Sequence, residues 1–447
     1  MQTDTSNAQG QRLARSGDLA AEVNGLAQPL IEQKQTPGLV VGVLFPDGHT
    51  QIFGYGVTGQ PDGSKVDGST LFAVASVSKG FLAEITALLV QKGVFQWNET
   101  LVSLLPKATP LSPDARNITL LQLVTHTSGL PRQMMTPEML GGMVRYLFTG
   151  DNFYQALDRR SLVDYLADFT APADRAPRYS NIGYGLLDYI LELRTGKTVK
   201  TLLAENITGP LKLAHTGYQP SLLPGYDRRA LGHAGDQPKF IRRGDVVPDW
   251  HFSSLMVGAA GLYTNADDLL TYARAHLHPT GYAALDQALR DSLRVSYPRS
   301  TEAAANAWIV DEVGQQKITY QVGFIGGFSS YIGLDTRHKT AVVVLQNSFN
   351  WTNNIGHKVL QRMGEAIDIN QGHNPPSMLP ELSVPMMLGV KTAPLPAPTV
   401  TYFHQNTLAE THYHQTQHLM KGQALAMPSP ASRNLQEHVL CHQTACL

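Results

Sequence analysis

Residues 72–93 read FAVASVSKGFLAEITALLVQKG, and the rest of the chain is placed by reference to this stretch. A short apolar run gives way to helical spacing: Phe81, Leu82, Ile85, Leu88 and Leu89 recur after Lys79, and Gly93 supplies a stop. At the junction stands Ser76-Val77-Ser78-Lys79. Ser76 and Lys79 are three apart, so on the first turn of the helix they share a face. A serine hydroxyl is a poor nucleophile until a base takes its proton. An ammonium becomes that base only if desolvation or neighbouring positive charge lowers its pKa from about 10.4. The helix N-terminus beside Ser76 adds a positive field that favours the amine and a developing oxyanion. Taken alone, the four residues also read as a serine N-cap followed by a solvated lysine.

The chain has 447 residues and a formal net charge of −1. That balance points to neither nucleic acid nor an anionic membrane surface as partner. No apolar run reaches the roughly 18–20 residues that a membrane helix needs. The polar first residues lack the apolar core of a secretory signal, so no signal peptide is visible. Residues 1–18 are expected to be an unstructured lead-in. The two cysteines, Cys441 and Cys446, stand at the very end of the chain, so the fold does not rely on disulfides. Residues 371–447 read as a separate segment. Pro375, Pro376, Pro380, Pro385, Pro394, Pro396 and Pro398 make a linker, and His404, His412, His414 and His418 read as a polar tail rather than a metal site.

Between these ends lies one domain, residues 19–370. Residues 39–45 and 50–57 read as a hairpin joined through Pro46-Asp47-Gly48-His49. A largely helical region follows over about 72–290. It includes a Met-rich insert in which Met134, Met135, Met139 and Met143 either line a greasy cleft or fill the core, core being favoured. Asn265 is a plausible N-cap, with Asp267 and Asp268 in the first turn that follows. Strands return at 307–311, 317–322, 328–334 and 340–345, and a helix at about 354–367. The expected class is α+β: one antiparallel sheet built from both termini, with a helical region inserted between them.

Two further pieces accompany Ser76 and Lys79. Tyr179-Ser180-Asn181 precedes a second apolar helix, and Gln321-Val322-Gly323-Phe324-Ile325-Gly326-Gly327-Phe328 joins two late strands. With Leu123-Val124-Thr125-His126-Thr127-Ser128-Gly129-Leu130 and Ala260-Gly261-Leu262-Tyr263-Thr264-Asn265, they stand in an order that resembles the β-lactamase-related, penicillin-recognising serine hydrolases. Within that family the chain is most similar to the branch of class C β-lactamases, D-alanyl-D-alanine carboxypeptidases and related esterases. The resemblance covers roughly residues 19–370 and implies a β-lactamase/transpeptidase-like fold.

The resemblance also implies roles. Ser76 would form an acyl-enzyme, while Lys79 and Tyr179 would share its proton and later activate water, each keeping the other's pKa low enough to act. Asn181 would donate to the substrate amide oxygen and help hold Lys79. The backbone N–H groups of Ser76 and Phe324 would form the oxyanion hole. Gly323, Gly326 and Gly327 would let substrate lie against the strand without a Cβ in the way. His126 belongs to a structural turn and stays outside the catalytic set.

One departure bears on substrate. Where the family usually carries Lys or His, this chain has Gln321, which can hydrogen-bond but supplies no charge, and Val322 removes a hydroxyl. The expected function is therefore hydrolysis of esters or neutral amides through an acyl-Ser76 intermediate. A D-alanyl-D-alanine carboxypeptidase or class C-type β-lactamase is the alternative, and a catalytically silent penicillin-binding-like sensor is a second one. No cofactor or metal is expected, the partner is a small ester, amide or peptide substrate, and the family bias is toward a periplasmic or secreted protein.

Overall fold

A computed structural model describes residues 4–252, 255–351 and 354–372. The linker and tail expected at 371–447, with their histidines and cysteines, lie almost wholly outside the described residues.

The predicted hairpin forms as β1 (Gly38–Leu44) and β2 (Thr50–Gly56), with Val41 opposite Phe53. β1 is buried along its whole length because it also pairs, on its other edge, with a strand from the far end of the domain: Val41 lies opposite Val344. The late strands are β5 (Ala303–Ala304), β6 (Ile309–Val313), β7 (Gln316–Ile325), β8 (Phe328–Asp335) and β9 (Thr340–Gln346). Together they make one seven-stranded antiparallel sheet in the order β2-β1-β9-β8-β7-β6-β5. Both ends of the domain thus build one sheet, as the pattern of strands implies. β6 begins later than the expected residue 307, because Ala307 takes a positive φ of 64° that a strand does not accommodate.

Helices cover both faces. Leu270, on the Ala266–Leu277 helix, packs where Gly42 of β1 leaves room beside Val343. Leu360, on the Ile355–Asn370 helix, packs at Gly333 of β8. Gly333 pairs with Val342, and Gly42 with Val343, so strand alternation puts these two helices on opposite faces. Asn265 caps the first of them by accepting the Asp268 N–H, as expected. Helix α1 (Asp4–Glu32) lies against the Ile355–Asn370 helix. It starts well before residue 19, so the lead-in expected over 1–18 is corrected from Asp4 onward. Ala8, Gln9, Gln11, Arg12, Ala14 and Arg15 have good helix propensity, which favours the helix there.

Helix α2 (Ser78–Gln91) is the buried centre of the inserted region, with every residue from Ser78 to Leu89 inside. Such burial brings in polar groups that need partners. Glu84, two turns from the start, accepts from the Tyr272 hydroxyl, contacts His276 Nε2, and accepts from Trp308 Nε1. The Met-rich insert resolves mostly as core: Met134, Met139 and Met143 are buried, while Met135 is exposed.

Candidate active site

Ser76 sits in a tight turn, residues 75–77, between the short strand β3 (Phe72–Ala73) and α2. Ala75 adopts φ 47°, a left-handed conformation that costs an alanine on the order of 1–2 kcal/mol. Its surroundings over-determine it. β3 pairs with β4 (Tyr263–Thr264), the Val74 N–H donates to the Leu262 carbonyl (3.0 Å), and Ser330 Oγ donates to the Val74 carbonyl (2.8 Å). Ser78 Oγ donates to the Ala75 carbonyl and accepts the Leu262 N–H at 3.0 Å. The second serine of the motif therefore holds the turn, while Ser76 stays partly open.

Lys79 is 1 % exposed, and its Nζ donates to Ser76 Oγ at 3.1 Å and to the Ala259 carbonyl at 3.1 Å. Burial, with a contribution from the Arg132 charge, holds its ammonium well below the usual lysine range. That shift biases the Lys79 side chain toward the free amine beside the serine hydroxyl. The Ala259 carbonyl is placed by a carboxylate: Asp188 Oδ2 accepts the Gly258 N–H at 2.8 Å. No motif marks this support, since a backbone carbonyl within a run of small residues carries no side-chain signal.

Asp188 is itself unusual. Burial raises its carboxyl to about 7, against the lowering effects of the Gly258 N–H and Arg159. An unfolded aspartate ionises near pH 3.9, so between roughly pH 4 and 7 the folded protein holds a proton that the unfolded chain has released. Stability is therefore lost as pH rises through that window. Asp188→Asn is expected to flatten this part of the stability–pH curve by on the order of 3–4 kcal/mol, read as the difference between urea-unfolding series of variant and parent.

The Tyr179 hydroxyl is buried without a well-formed hydrogen bond, although the Ser76 side chain is near enough to draw its pKa down slightly. Burial dominates and pushes it up to about 12. This corrects the expectation that Lys79 and Tyr179 lower each other's pKa. Desolvation disfavours the charged form of each group, and that form is the protonated ammonium in the lysine but the deprotonated phenolate in the tyrosine, so only the lysine is lowered. His126 grips the tyrosine from its turn, as a structural part. Its carbonyl accepts the Arg178 N–H (2.7 Å), its Nδ1 accepts the Ser180 N–H (3.0 Å), and its ring lies 4.5 Å from that of Tyr179.

Asn181 opens the Asn181–Thr195 helix, which Ser180 caps by accepting the Gly183 N–H at 2.9 Å. Asn181 Nδ2 donates to the Tyr154 hydroxyl at 2.9 Å, and Tyr154 in turn accepts from Gln133. The Met-rich insert thus orients the asparagine, a second link that the sequence does not reveal.

β7 forms the opposite wall. Its ladder with β6 ends at Tyr320, so residues 321–325 extend past that neighbour beside Ser76. Gln321 and Gly323 face α2 and the turn. A Cβ on Gly323 would meet the Val74 carbonyl at 2.3 Å and the Ser76 nitrogen at 2.9 Å. Phe324 points to the other face, against Phe349 and Trp351, which leaves its backbone at the strand beside Ser76. The glycines need a corrected reason. Gly323 lets the serine turn itself approach the strand, Gly326 makes room for the Trp250 indole (2.4 Å to a built Cβ), and Gly327, at φ 95°, turns the hairpin against Gly232. Gln321 is 1 % exposed, lies over Gly80, and neither its Oε1 nor its Nε2 has a hydrogen-bond partner.

Among the described residues, no group of three or more His, Cys, Asp or Glu side chains is arranged to hold a metal ion. No described helix is long and apolar enough to cross a membrane.

Residues 23–361 match the family model described as Beta-lactamase. A protein named Beta-lactamase from Yersinia enterocolitica is 26% identical over 349 residues, covering 76% of this chain and 80% of its own length. The D-alanyl-D-alanine-carboxypeptidase/endopeptidase AmpH of Escherichia coli (strain K12) is 26% identical over 312 residues, covering 66% of this chain and 75% of its own. Among solved structures, a class C beta lactamase from Rhodobacter sphaeroides superposes with a TM-score of 0.61 at 23% identity, covering 78% of this chain and 99% of that one. The fold is that of the β-lactamase/transpeptidase-like group.

Proposed function

The chain belongs to the β-lactamase family of serine hydrolases, and from that premise we propose that it hydrolyses neutral esters or amides through an acyl-Ser76 intermediate. The observation that carries this reading is the Lys79 amine, buried and 3.1 Å from Ser76 Oγ. As Ser76 Oγ bonds to the substrate carbonyl carbon, Lys79 Nζ takes its proton. The carbonyl oxygen becomes an oxyanion between the backbone N–H groups of Ser76 and Phe324. The tetrahedral adduct collapses by breaking the bond to the leaving alcohol or amine, and the proton on Lys79 passes to that leaving atom. Tyr179, neutral at ordinary pH, serves as the hydroxyl relay for this transfer. A water then repeats the sequence in reverse: Lys79 takes its proton, hydroxide adds to the ester carbon, and Ser76 leaves with the proton returned. Asn181, held by Tyr154, would donate to an amide oxygen of the acyl group.

The neutral-substrate reading is supported by Gln321. Its amide is neutral and buried, so a carboxylate brought to that side of the site meets no countercharge. The names of the Yersinia and Escherichia relatives favour a second reading, action on β-lactams or D-alanyl peptides, both of which present a carboxylate. The test compares kcat/KM for an activated short-chain ester with that for a penicillin and a D-Ala-D-Ala peptide. The ester is expected to lead by about 100-fold or more. Gln321→Lys is expected to narrow the gap by about 10–100-fold, the worth of one charge-assisted hydrogen bond. Comparable rates on penicillin and ester in the parent protein would overturn the neutral-substrate reading in favour of the second.

A further inference from the structure

Two basic side chains share one aromatic ring in this site. The Lys79 Nζ lies 5.0 Å from the centroid of the Tyr179 ring, and the Arg132 guanidinium carbon lies 4.6 Å from the same centroid. Arg132 is not loosely hung. Its carbonyl accepts the Asn181 N–H at 3.2 Å, its neighbour Pro131 accepts from Ser180 Oγ at 2.7 Å, and its other neighbour Gln133 donates to Tyr154. The segment that carries the guanidinium is therefore knitted to the same three residues, 179–181, that flank the nucleophile.

An ammonium at the buried Lys79 would be repelled by the Arg132 guanidinium beside the same ring. A guanidinium does not give up its proton, so the lysine is the one that yields. We propose that Arg132 is a positioning residue for the proton chemistry of Ser76: seated on the Tyr179 ring, it supplies the positive charge that keeps the Lys79 side chain in its free-amine form. Gln321, on β7, brings no charge to the opposite wall, so the field comes from the 130–133 segment instead.

The other groups around Lys79 and Tyr179 leave this role to Arg132. His126, from the 125–130 turn, is held well below its usual range chiefly by burial and in part by the Arg132 charge, which favours its neutral form. Tyr184, from the Asn181–Thr195 helix, and Tyr154, from the insert, are both pushed up by burial and stay protonated. Glu84, further along α2, is taken up by Tyr272, His276 and Trp308. Burial is the larger cause of the lowered Lys79 and Arg132 the second, so removing the arginine shifts the lysine without restoring an ordinary value.

This inference rests on the reading of Lys79 as the base, and its test separates the two. The pH dependence of kcat/KM for an activated ester is measured for the parent, Arg132→Gln and Arg132→Lys. In Arg132→Gln the acid limb is expected to move up by about one pH unit, with activity recovering toward the parental plateau at higher pH, and in Arg132→Lys to move back. A uniform loss of rate with the limb unmoved would overturn the proposal and make Arg132 a structural or substrate contact. If the parent turns over no ester, the functional reading fails, and a second measurement still decides this one. Titration of 15N-labelled lysine side chains by NMR should show the most depressed lysine resonance shifting its midpoint upward by about one unit in Arg132→Gln. An unchanged midpoint would refute the role of Arg132 whatever the enzyme's substrate.

Discussion

Lys79→Met is expected to lower kcat for an activated ester by about 10³–10⁴-fold while KM stays within about threefold. The side chain touches Ser76 Oγ and the Ala259 carbonyl, at 3.1 Å each, and is otherwise buried. What is lost is the proposed proton acceptor, so the effect is expected to fall on the chemical step. The same change is expected to keep or raise stability. An amine buried at 1 % exposure is desolvated, with only two hydrogen bonds to offset that, and a methionine fills the volume without the penalty. Steady-state kinetics and thermal unfolding on one preparation check both halves. A large loss of activity together with a large loss of stability would mean instead that the substitution breaks the turn around Ala75.

Gly323→Ala carries the second large effect. The added methyl group would stand 2.3 Å from the Val74 carbonyl oxygen, 2.5 Å from Ser330 Oγ and 2.9 Å from the Ser76 nitrogen. Two of these three atoms are backbone, so no rotamer change relieves the clash, and either β7 or the nucleophile turn must shift. Overpacking of this kind costs about 1–3 kcal/mol. The catalytic cost is expected to be larger, about 10²–10³-fold in kcat, because the Ser76 and Phe324 N–H groups proposed to face the developing oxyanion sit on the two parts driven apart. Urea unfolding and kcat measured side by side show whether the two losses have this ratio. Near-parental kcat would mean that strand and turn are not rigidly registered.

Much of this arrangement is legible in the amino-acid sequence. The 72–93 stretch works because a nucleophile motif at the start of an apolar helix is a local signal: the spacing of Ser76, Lys79 and the helical apolar positions is all within one window. The late strands are legible for the same reason, being alternating or fully apolar runs bounded by glycine and turn residues. Their union with the first hairpin follows from topology, since a buried strand such as 39–45 needs neighbours on both sides. The parts that stay hidden are long-range. Ala259 supports Lys79 from 180 residues away through a carbonyl that every residue possesses. Arg132 reads as one more surface arginine until the fold lays it on Tyr179. Gly326 and Gly327 have glycine's freedom for reasons set by Trp250 and Gly232, residues far off in sequence. The direction of the Tyr179 shift likewise depends on how deeply its hydroxyl is enclosed, which no motif records.

Everything proposed for this site turns on whether Ser76 becomes acylated. The most direct test is rapid acid quenching of the protein during turnover of an activated short-chain ester, followed by intact mass and peptide mapping, with Ser76→Ala in parallel. The expected result is a mass increase equal to the acyl group, on the peptide that contains Ser76, with both adduct and turnover absent from the Ala variant. Undiminished turnover by Ser76→Ala, or an acyl group mapped to another residue, would contradict it.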